Sequence, residues 1–309
     1  MMKISIVTPC YNEEANIEAL YDRVKQIFRT LPDYAYEHLF IDNASVDGTQ
    51  GILRRLAAQD KNVKVIINTR NFGHIRSPFY AFTQAGGDAV ILLAADFQDP
   101  PEMISEFLLR WKAGYKVVLG IKTNSGESGL MFVLRRFYYN LVDGLADVKI
   151  NKNNTGFGLY DKEVVGQLKK LEEPYPFFRG LVSELGYEAA KVEYFQPARE
   201  RGITKNNIYT LYDIGMLGII NHSKVPLRLA IFAGIILAGI NLTVAFGYLV
   251  YKLVYWNSFS VGIAPVVIGL FFFSSVQLMF LGVIGEYIGA IYTQTLKRPL
   301  VIEKERINF

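Results

Sequence analysis

Carboxylates, amides and an arginine gather in four short clusters in the first third of the chain. They are Thr8-Pro9-Cys10-Tyr11-Asn12-Glu13-Glu14, Asp42-Asn43-Ala44-Ser45-Val46-Asp47-Gly48-Thr49, Thr69-Arg70-Asn71-Phe72-Gly73-His74 and Ala95-Asp96-Phe97-Gln98-Asp99-Pro100-Pro101-Glu102. Such groups hydrogen-bond a polar ligand and balance its charge, but Asp and Asn after a strand are also ordinary turn residues. One cluster alone decides nothing. Further on, Arg199, Arg201 and Lys205 precede a long apolar region. Arginine offers a two-pronged fork for phosphate and lysine a point charge. A solvated basic loop beside anionic lipid accounts for the same residues, at about 1 kcal/mol per charge. Arg179 is a lesser candidate for the same work, and Arg135 and Arg136 read equally as a helix face. His74 is explained by a helix-entry hydrogen bond as well as by a role as base.

The elements that must position these clusters follow from hydrophobic periodicity. Lys3–Thr8, Tyr36–Ile41, Val63–Asn68 and Ala89–Ala94 read as strands. Glu14–Thr30, with Asn12 as its cap, Gly48–Gln59 and Ile75–Gly86 read as helices. Alternation of this kind predicts a parallel sheet with helices on both faces. Ligands gather at the carboxyl ends of the strands in such sheets. Each of the four clusters falls at one of those ends, which turns four weak signals into one argument for a site.

The chain has 309 residues, 51% of them hydrophobic, with a formal charge of +4. That allows one sizeable α/β domain and an appendage. No Lys/Arg run is dense enough for a nucleic-acid binder. The single cysteine, Cys10, excludes an intrachain disulfide and fits a reducing compartment. The first residues lack the pattern of a signal peptide, so the N-terminal domain is expected to stay on the side where it is made. Leu229–Val250 and Gly262–Gly285 hold no charged residue. Each is long enough for a helix to cross a roughly 30 Å hydrocarbon core; buried core helices of this length usually show a polar face. Lys224 and Arg228 flank one side of the pair, and Lys297, Arg298, Lys304 and Arg306 the other, which makes both flanks cytoplasmic by the positive-inside rule. Glu286 is expected at the cytoplasmic end of the second span, either functional or paired at the interface. Residues 206–225 read as an amphipathic helix on the membrane surface, or as a core helix.

The chain resembles the inverting family-2 glycosyltransferases of the GT-A fold, within them the branch that transfers sugars to polyprenyl phosphates, as dolichyl-phosphate mannose synthases and bactoprenol glucosyltransferases do. The motifs that carry the resemblance are Pro9-x-Tyr11-Asn12-Glu13, Asp42-x-x-Ser45-x-Asp47-x-Thr49, Arg70-Asn71-Phe72-Gly73-His74 and Asp96-Phe97-Gln98-Asp99-Pro100-Pro101-Glu102. Phe178-Arg179-Gly180, Arg201-Gly202-Ile203-Thr204-Lys205, Pro226-Leu227-Arg228 and Gly285-Glu286-Tyr287-Ile288-Gly289 add to them. It implies an α/β fold, a GT-A (Rossmann-like) mostly parallel sheet domain over 1–205, a juxtamembrane helix over 206–225, and two transmembrane helices with a cytoplasmic tail over 226–309. Pro9, Tyr11, Glu13, Asp42 and Arg70 would hold the nucleotide, with Asp42 accepting a hydrogen bond from the base. Asp96 and Gln98 would ligate Mg²⁺ or Mn²⁺ bridging the diphosphate. Catalytic roles fall to Asp96, Asp99 and Arg201, and lipid phosphate to Arg199, Arg201 and Lys205. Asp99 alternatively caps a helix opening at Pro100-Pro101, the reading preferred here. The implied partners are a nucleotide diphosphate-sugar, UDP-hexose by preference, a polyprenyl phosphate and the membrane. A homo-oligomer is neither shown nor excluded.

The sequence departs from the family pattern in three places. Ala94 stands where relatives carry the first acid of Asp-x-Asp, Asn43 stands in a usual acidic pair, and Gly156 replaces a candidate base. Asp161 or Asp147 could have taken that base's role. A phosphate acceptor needs no base, because its second pKa near 6 leaves it largely dianionic at neutral pH. The missing acid thus favours phosphate over a hydroxyl glycan acceptor, while the missing acids together also suit a non-catalytic nucleotide-sugar-binding protein.

Overall fold

The computed structural model describes residues 1–123, 154–197, 216, 220, 223–255 and 263–309. In chain order the elements are β1 (Met2–Cys10), α1 (Ile17–Arg29), β2 (Tyr34–Asp42), α2 (Thr49–Gln59), β3 (Val63–Asn68), α3 (Gly73–Gln84), β4 (Ala89–Leu92), α4 (Met103–Lys112) and β5 (Val117–Lys122). Then come β6 (Asn154–Asp161), α5 (Lys162–Lys170), α6 (Phe178–Glu184), β7 (Ala189–Tyr194), α7 (Val225–Val254), α8 (Ile263–Thr295) and β8 (Glu303–Ile307).

The eight strands form one sheet in the order β7-β5-β6-β4-β1-β2-β3-β8. β1 pairs in parallel with β2 and β4, β2 with β3, and β5 with β7; β6 and β8 run antiparallel to their neighbours. Central strands buried on both faces read as near-continuous apolar runs, as Ile4-Ser5-Ile6-Val7 does in β1. Ile4 and Ile6 join Phe40, Val65 and Ile91 under α1, α2 and α4, whereas Val7 joins Leu39, Ile41 and Ile66 under α3, α5 and α6. The helices therefore cover both faces, as the alternation predicts, and the α/β class and GT-A, mostly parallel architecture hold. α1 begins later than the sequence suggested: its cap position is Asn16, and Asn12 lies in the preceding loop.

β8 is the last strand of the chain, yet it lies beside β3 at the sheet's edge. The Arg54 guanidinium meets Glu305 at 2.8 Å, Tyr80 donates its hydroxyl to Glu303 at 2.9 Å, and the Asn308 amide donates to Val63 O at 2.8 Å. The tail thus belongs structurally to the sheet domain, although its residues follow the helix pair.

α7 and α8 are long and apolar enough to cross a membrane, and none of their most apolar stretch is buried within the chain. That exposure is unlike a soluble core helix. Glu286 lies within α8, which runs on to Thr295. Tyr287 beside it donates to Ser223 O at 2.7 Å, which sets this level of α8 against the start of α7. The residues expected to form a juxtamembrane helix lie, except Met216, Ile220 and Ser223 onward, outside the described residues.

Candidate active site

Winding reverses between β1 and β4, since β2 and β3 lie to one side of β1 and β4 to the other. At such a switch point a crevice opens outside the carboxyl ends of the strands. The loops after β1 and β2 are sewn together there. Asn12 N–H donates to Ser45 Oγ at 2.8 Å, Glu13 N–H to Thr49 Oγ1 at 2.9 Å, and Val46 N–H to Asn12 Oδ1 at 2.9 Å. Asn12, Ala44 and Phe97 have φ of 56°, 61° and 58°. Left-handed backbone costs a non-glycine residue on the order of 1–3 kcal/mol and persists where its surroundings over-determine it. Three such residues, after β1, β2 and β4, mark this edge as built for a purpose.

Asp42 is fully buried; its Oδ2 accepts from Ser45 N–H and the Gln50 amide, both at 3.0 Å. Its Oδ1 has no partner, and burial raises its pKa above the ordinary carboxylate range. An unsatisfied buried acceptor is costly, so this atom suits a donor brought by a ligand. Asn43 uses both halves of its amide: Nδ2 donates to Asn71 Oδ1 at 2.8 Å and Gly73 O at 3.2 Å, while Oδ1 accepts from Phe72 N–H at 2.8 Å. A carboxylate could not donate. The residue that looked like a lost acid is what ties the β2 loop to the β3 loop. Arg70 lies exposed in that loop, its guanidinium 4.0 Å over the Phe72 ring.

After β4, Asp96 and Asp99 are both largely buried. Asp96 Oδ1 accepts from Gln98 N–H at 3.2 Å. Asp99 does not cap a helix: α4 starts at Met103 with Glu102 at its cap position, and the Asp99 carboxylate instead accepts the Tyr194 hydroxyl at 2.9 Å. Burial, helped by the charge of Asp96, pushes the Asp99 pKa up to about 6, against the pull of Tyr194 and Lys122. Lys122 closes β5, and no motif in the sequence marks it. Among the described residues no three His, Cys, Asp or Glu side chains form a metal-holding group. Asp96 and Gln98 still offer two oxygen donors, and Mg²⁺ commonly uses one or two carboxylates with substrate phosphates and water. The donor set fits a hard ion shared with a diphosphate.

Two cavities adjoin at this edge. The first, about 380 Å³, is lined by Pro9, Tyr11, Glu13, Asn43, Asn71 and His74 among others. Pro9, Tyr11 and Glu13, singled out from the sequence, thus face one space; Asp42 and Arg70, singled out with them, are not among its lining residues, but each precedes one that is, Asn43 and Asn71. The second, about 300 Å³, shares His74 and Pro78 with the first and is otherwise mostly apolar. Gly156 has φ +98°, and a Cβ there would meet Leu92 and Phe178, which line this second cavity, at 3.7 and 3.6 Å. Asp161 is not a substitute base: it caps α5 through Glu163 N–H at 2.9 Å and accepts from the Trp111 indole at 2.9 Å. It pairs with Ala89, the first residue of β4, and so lies at the opposite edge of the sheet. Asp147, Arg135, Arg136, Arg199, Arg201 and Lys205 lie outside the described residues.

A strand-end crevice with zipped loops, a cavity of about 380 Å³ and a short acidic motif is a place for a polar, charged ligand, and comparison with known proteins gives the class of protein. The profile of Glycosyl transferase family 2 matches residues 5–168, and the chain belongs to that family. It is similar to the glycosyltransferase YkcC of Bacillus subtilis (strain 168), 38% identical over 97% of this chain and 93% of that protein. The SfII prophage-derived bactoprenol glucosyl transferase of Shigella flexneri is 35% identical over 98% of each chain. Among solved structures, glucosyl-3-phosphoglycerate synthase from Mycobacterium tuberculosis, in complex with Mn²⁺, UDP and phosphoglyceric acid, aligns over 71% of this chain and 76% of that one. The identity is 17% and the TM-score 0.45.

Proposed function

We propose that this glycosyltransferase moves a hexose from a UDP-sugar to a polyprenyl phosphate such as undecaprenyl phosphate at the cytoplasmic leaflet, inverting the anomeric carbon. The observation that carries the reading is the likeness to a bactoprenol glucosyl transferase over 98% of each chain, a span that takes in the helix pair as well as the sheet domain. In this reading Pro9, Tyr11 and Glu13 hold base and ribose, Asp42 Oδ1 receives a donor from the base, and Arg70 meets the diphosphate. Asp96 and Gln98 would hold Mg²⁺ or Mn²⁺, which when bound supplies charge neutralisation for the departing nucleoside diphosphate. An oxygen of the acceptor phosphate attacks the anomeric carbon; the bond to the nucleoside diphosphate breaks and its electron pair leaves with that group. In-line attack inverts the centre. Because the phosphate arrives largely dianionic, no base is needed where Gly156 stands. Arg199, Arg201 and Lys205 would meet its head group. Positioning and electrostatics supply most of the acceleration.

The domain plan proposed is a catalytic unit over 1–205, a juxtamembrane segment over 206–225 and an anchor over 226–309 that crosses twice. Pairing of β8 with β3 supports an even number of crossings, because the chain returns to the sheet after α8. The test is turnover by detergent-purified protein offered UDP- and GDP-sugars, undecaprenyl phosphate and Mg²⁺ or Mn²⁺. A lipid-linked sugar phosphate, lost with chelator and reduced at least 100-fold in Asp96→Ala, is expected. Metal-independent donor binding without turnover would instead make the chain a nucleotide-sugar-binding protein.

A further inference from the structure

The second cavity has the lining of a hydrocarbon site. Its walls are Ile75, Pro78 and Phe79 of α3, Leu92 of β4 and Phe178 of α6. Edge-to-face contacts fix the aromatic wall: Phe178 stands 5.0 Å from Phe82, 5.1 Å from Tyr160 and 6.3 Å from Phe79, centroid to centroid. Hydroxyl-rich sugar would leave most of its hydrogen bonds unmet against such a wall, whereas an alkyl chain loses nothing. Gly156 adjoins two residues of this wall: a Cβ there would stand 3.7 Å from Leu92 and 3.6 Å from Phe178.

Three placements narrow the occupant. Sharing His74 and Pro78 with the nucleotide cavity puts a molecule in one beside a molecule in the other. Among the described residues of the wall, Arg179 is the one that is formally charged; one N–H is fixed on Asn154 O at 3.0 Å, and the guanidinium lies 5.3 Å from the Phe177 ring centroid. The chain leaving α8 also reaches this corner: Arg76 of α3 donates to Pro299 O, and Leu300 packs against the cluster that contains Phe79 and Phe82. An amphiphile with an anionic head and an apolar chain, arriving along α8, matches all three.

The geometry points to this cavity as the seat of the first isoprene units of the acceptor, with Arg179 beside its phosphate. The inference rests on the polyprenyl phosphate reading above and deepens it. A volume of about 300 Å³ is at the low end for small-ligand sites, so the cavity takes the head-proximal units and leaves the rest of the lipid to the bilayer.

The experiment uses full-length protein in detergent and farnesyl monophosphate carrying a diazirine on its first isoprene unit. Photolabel is expected on the 73–84 and 176–180 segments, displaced by unlabelled farnesyl phosphate but not by inorganic phosphate. Ile75→Trp, which fills the cavity from a half-buried position, is expected to raise the farnesyl phosphate KM about ten-fold or more, with UDP affinity unchanged. Arg179→Gln should raise KM while Arg179→Lys restores part of it. Label confined to other segments, or a folded Ile75→Trp with unaltered KM and labelling, overturns the inference. Label in the cavity without sugar transfer to any prenyl phosphate would sustain the cavity assignment and remove the acceptor reading instead.

Discussion

At the scale of single residues, Asn43 decides how this site differs from what its motif suggested. The sequence presents it as an acid lost beside Asp42. Its second role depends on Asn71 and Gly73, far along the chain, and no local pattern reveals that a donor is required there. Asn43→Asp would set a carboxylate against Asn71 Oδ1 and Gly73 O, now 2.8 and 3.2 Å from the amide nitrogen. Two donated bonds would be lost and two oxygens opposed, a cost of about 1–3 kcal/mol. A lower Tm and UDP affinity weakened several-fold by calorimetry are expected; unaltered UDP binding would show that the loop tie does not shape the nucleotide site. Gly156 carries the complementary lesson. Its identity reads as a lost base, but only the structure shows that its φ of +98° favours glycine and that a Cβ there would touch the cavity-wall residues Leu92 and Phe178.

At the scale of elements, β1 to β4 were legible because each carries an apolar run followed by a polar cluster, and parallel strands require that pattern. The later strands were not, since β6 depends on close approach: a Cβ on Gly158 would stand 2.3 Å from Val118 O. β8, with its charged Glu-Lys-Glu-Arg-Ile, looks like a tail until β3 is seen beside it. Deleting residues 303–309 would bare the β3 edge and remove the Arg54–Glu305 and Asn308 contacts. Loss of at least about 2 kcal/mol, seen as a Tm several degrees lower and a tendency to aggregate, is expected. The β1–β2 pair sets the acid limit. Burial alone would raise the Glu37 pKa, but Lys3, Ser5, Gly86 N–H and Lys64 reverse this and hold it at about 2 against 4.5. Its stabilisation is therefore present above pH 4.5 and is lost as the pH falls toward 2. Burial depresses His38 from 6.5 to about 3, so protons favour the unfolded chain across that window too. These two signs agree, whereas Asp99, held at about 6, works the other way above its ordinary value and offsets His38 there. Tm measured against pH should therefore fall most steeply below about 4, and Glu37→Gln should flatten that part.

At the scale of the whole molecule, the sheet and the helix pair are one topological problem. β3 and β8 are neighbours in the sheet while α7 and α8 stand between them in sequence, so a membrane that α7 enters must be left by α8 on the same side. The two apolar stretches and their basic flanks already set both ends of the pair on one side in the sequence; what the sequence did not show is the β3–β8 pairing that ties the tail to the sheet. The chain offers a quiet background for testing it. Its single cysteine, Cys10, is buried in the core, and burial together with the nearby Asp42 and Glu13 charges raises its thiol pKa well above normal, which suppresses the thiolate. A membrane-impermeant maleimide should therefore leave native protein in intact cells unlabelled. Ser258→Cys, between the two helices, should react from outside, whereas Lys304→Cys should react only after permeabilisation. External labelling at both positions would break the hairpin topology and, because β8 holds the C-terminal segment on the catalytic sheet, would remove the UDP-sugar site from the compartment where the proposed reaction needs it.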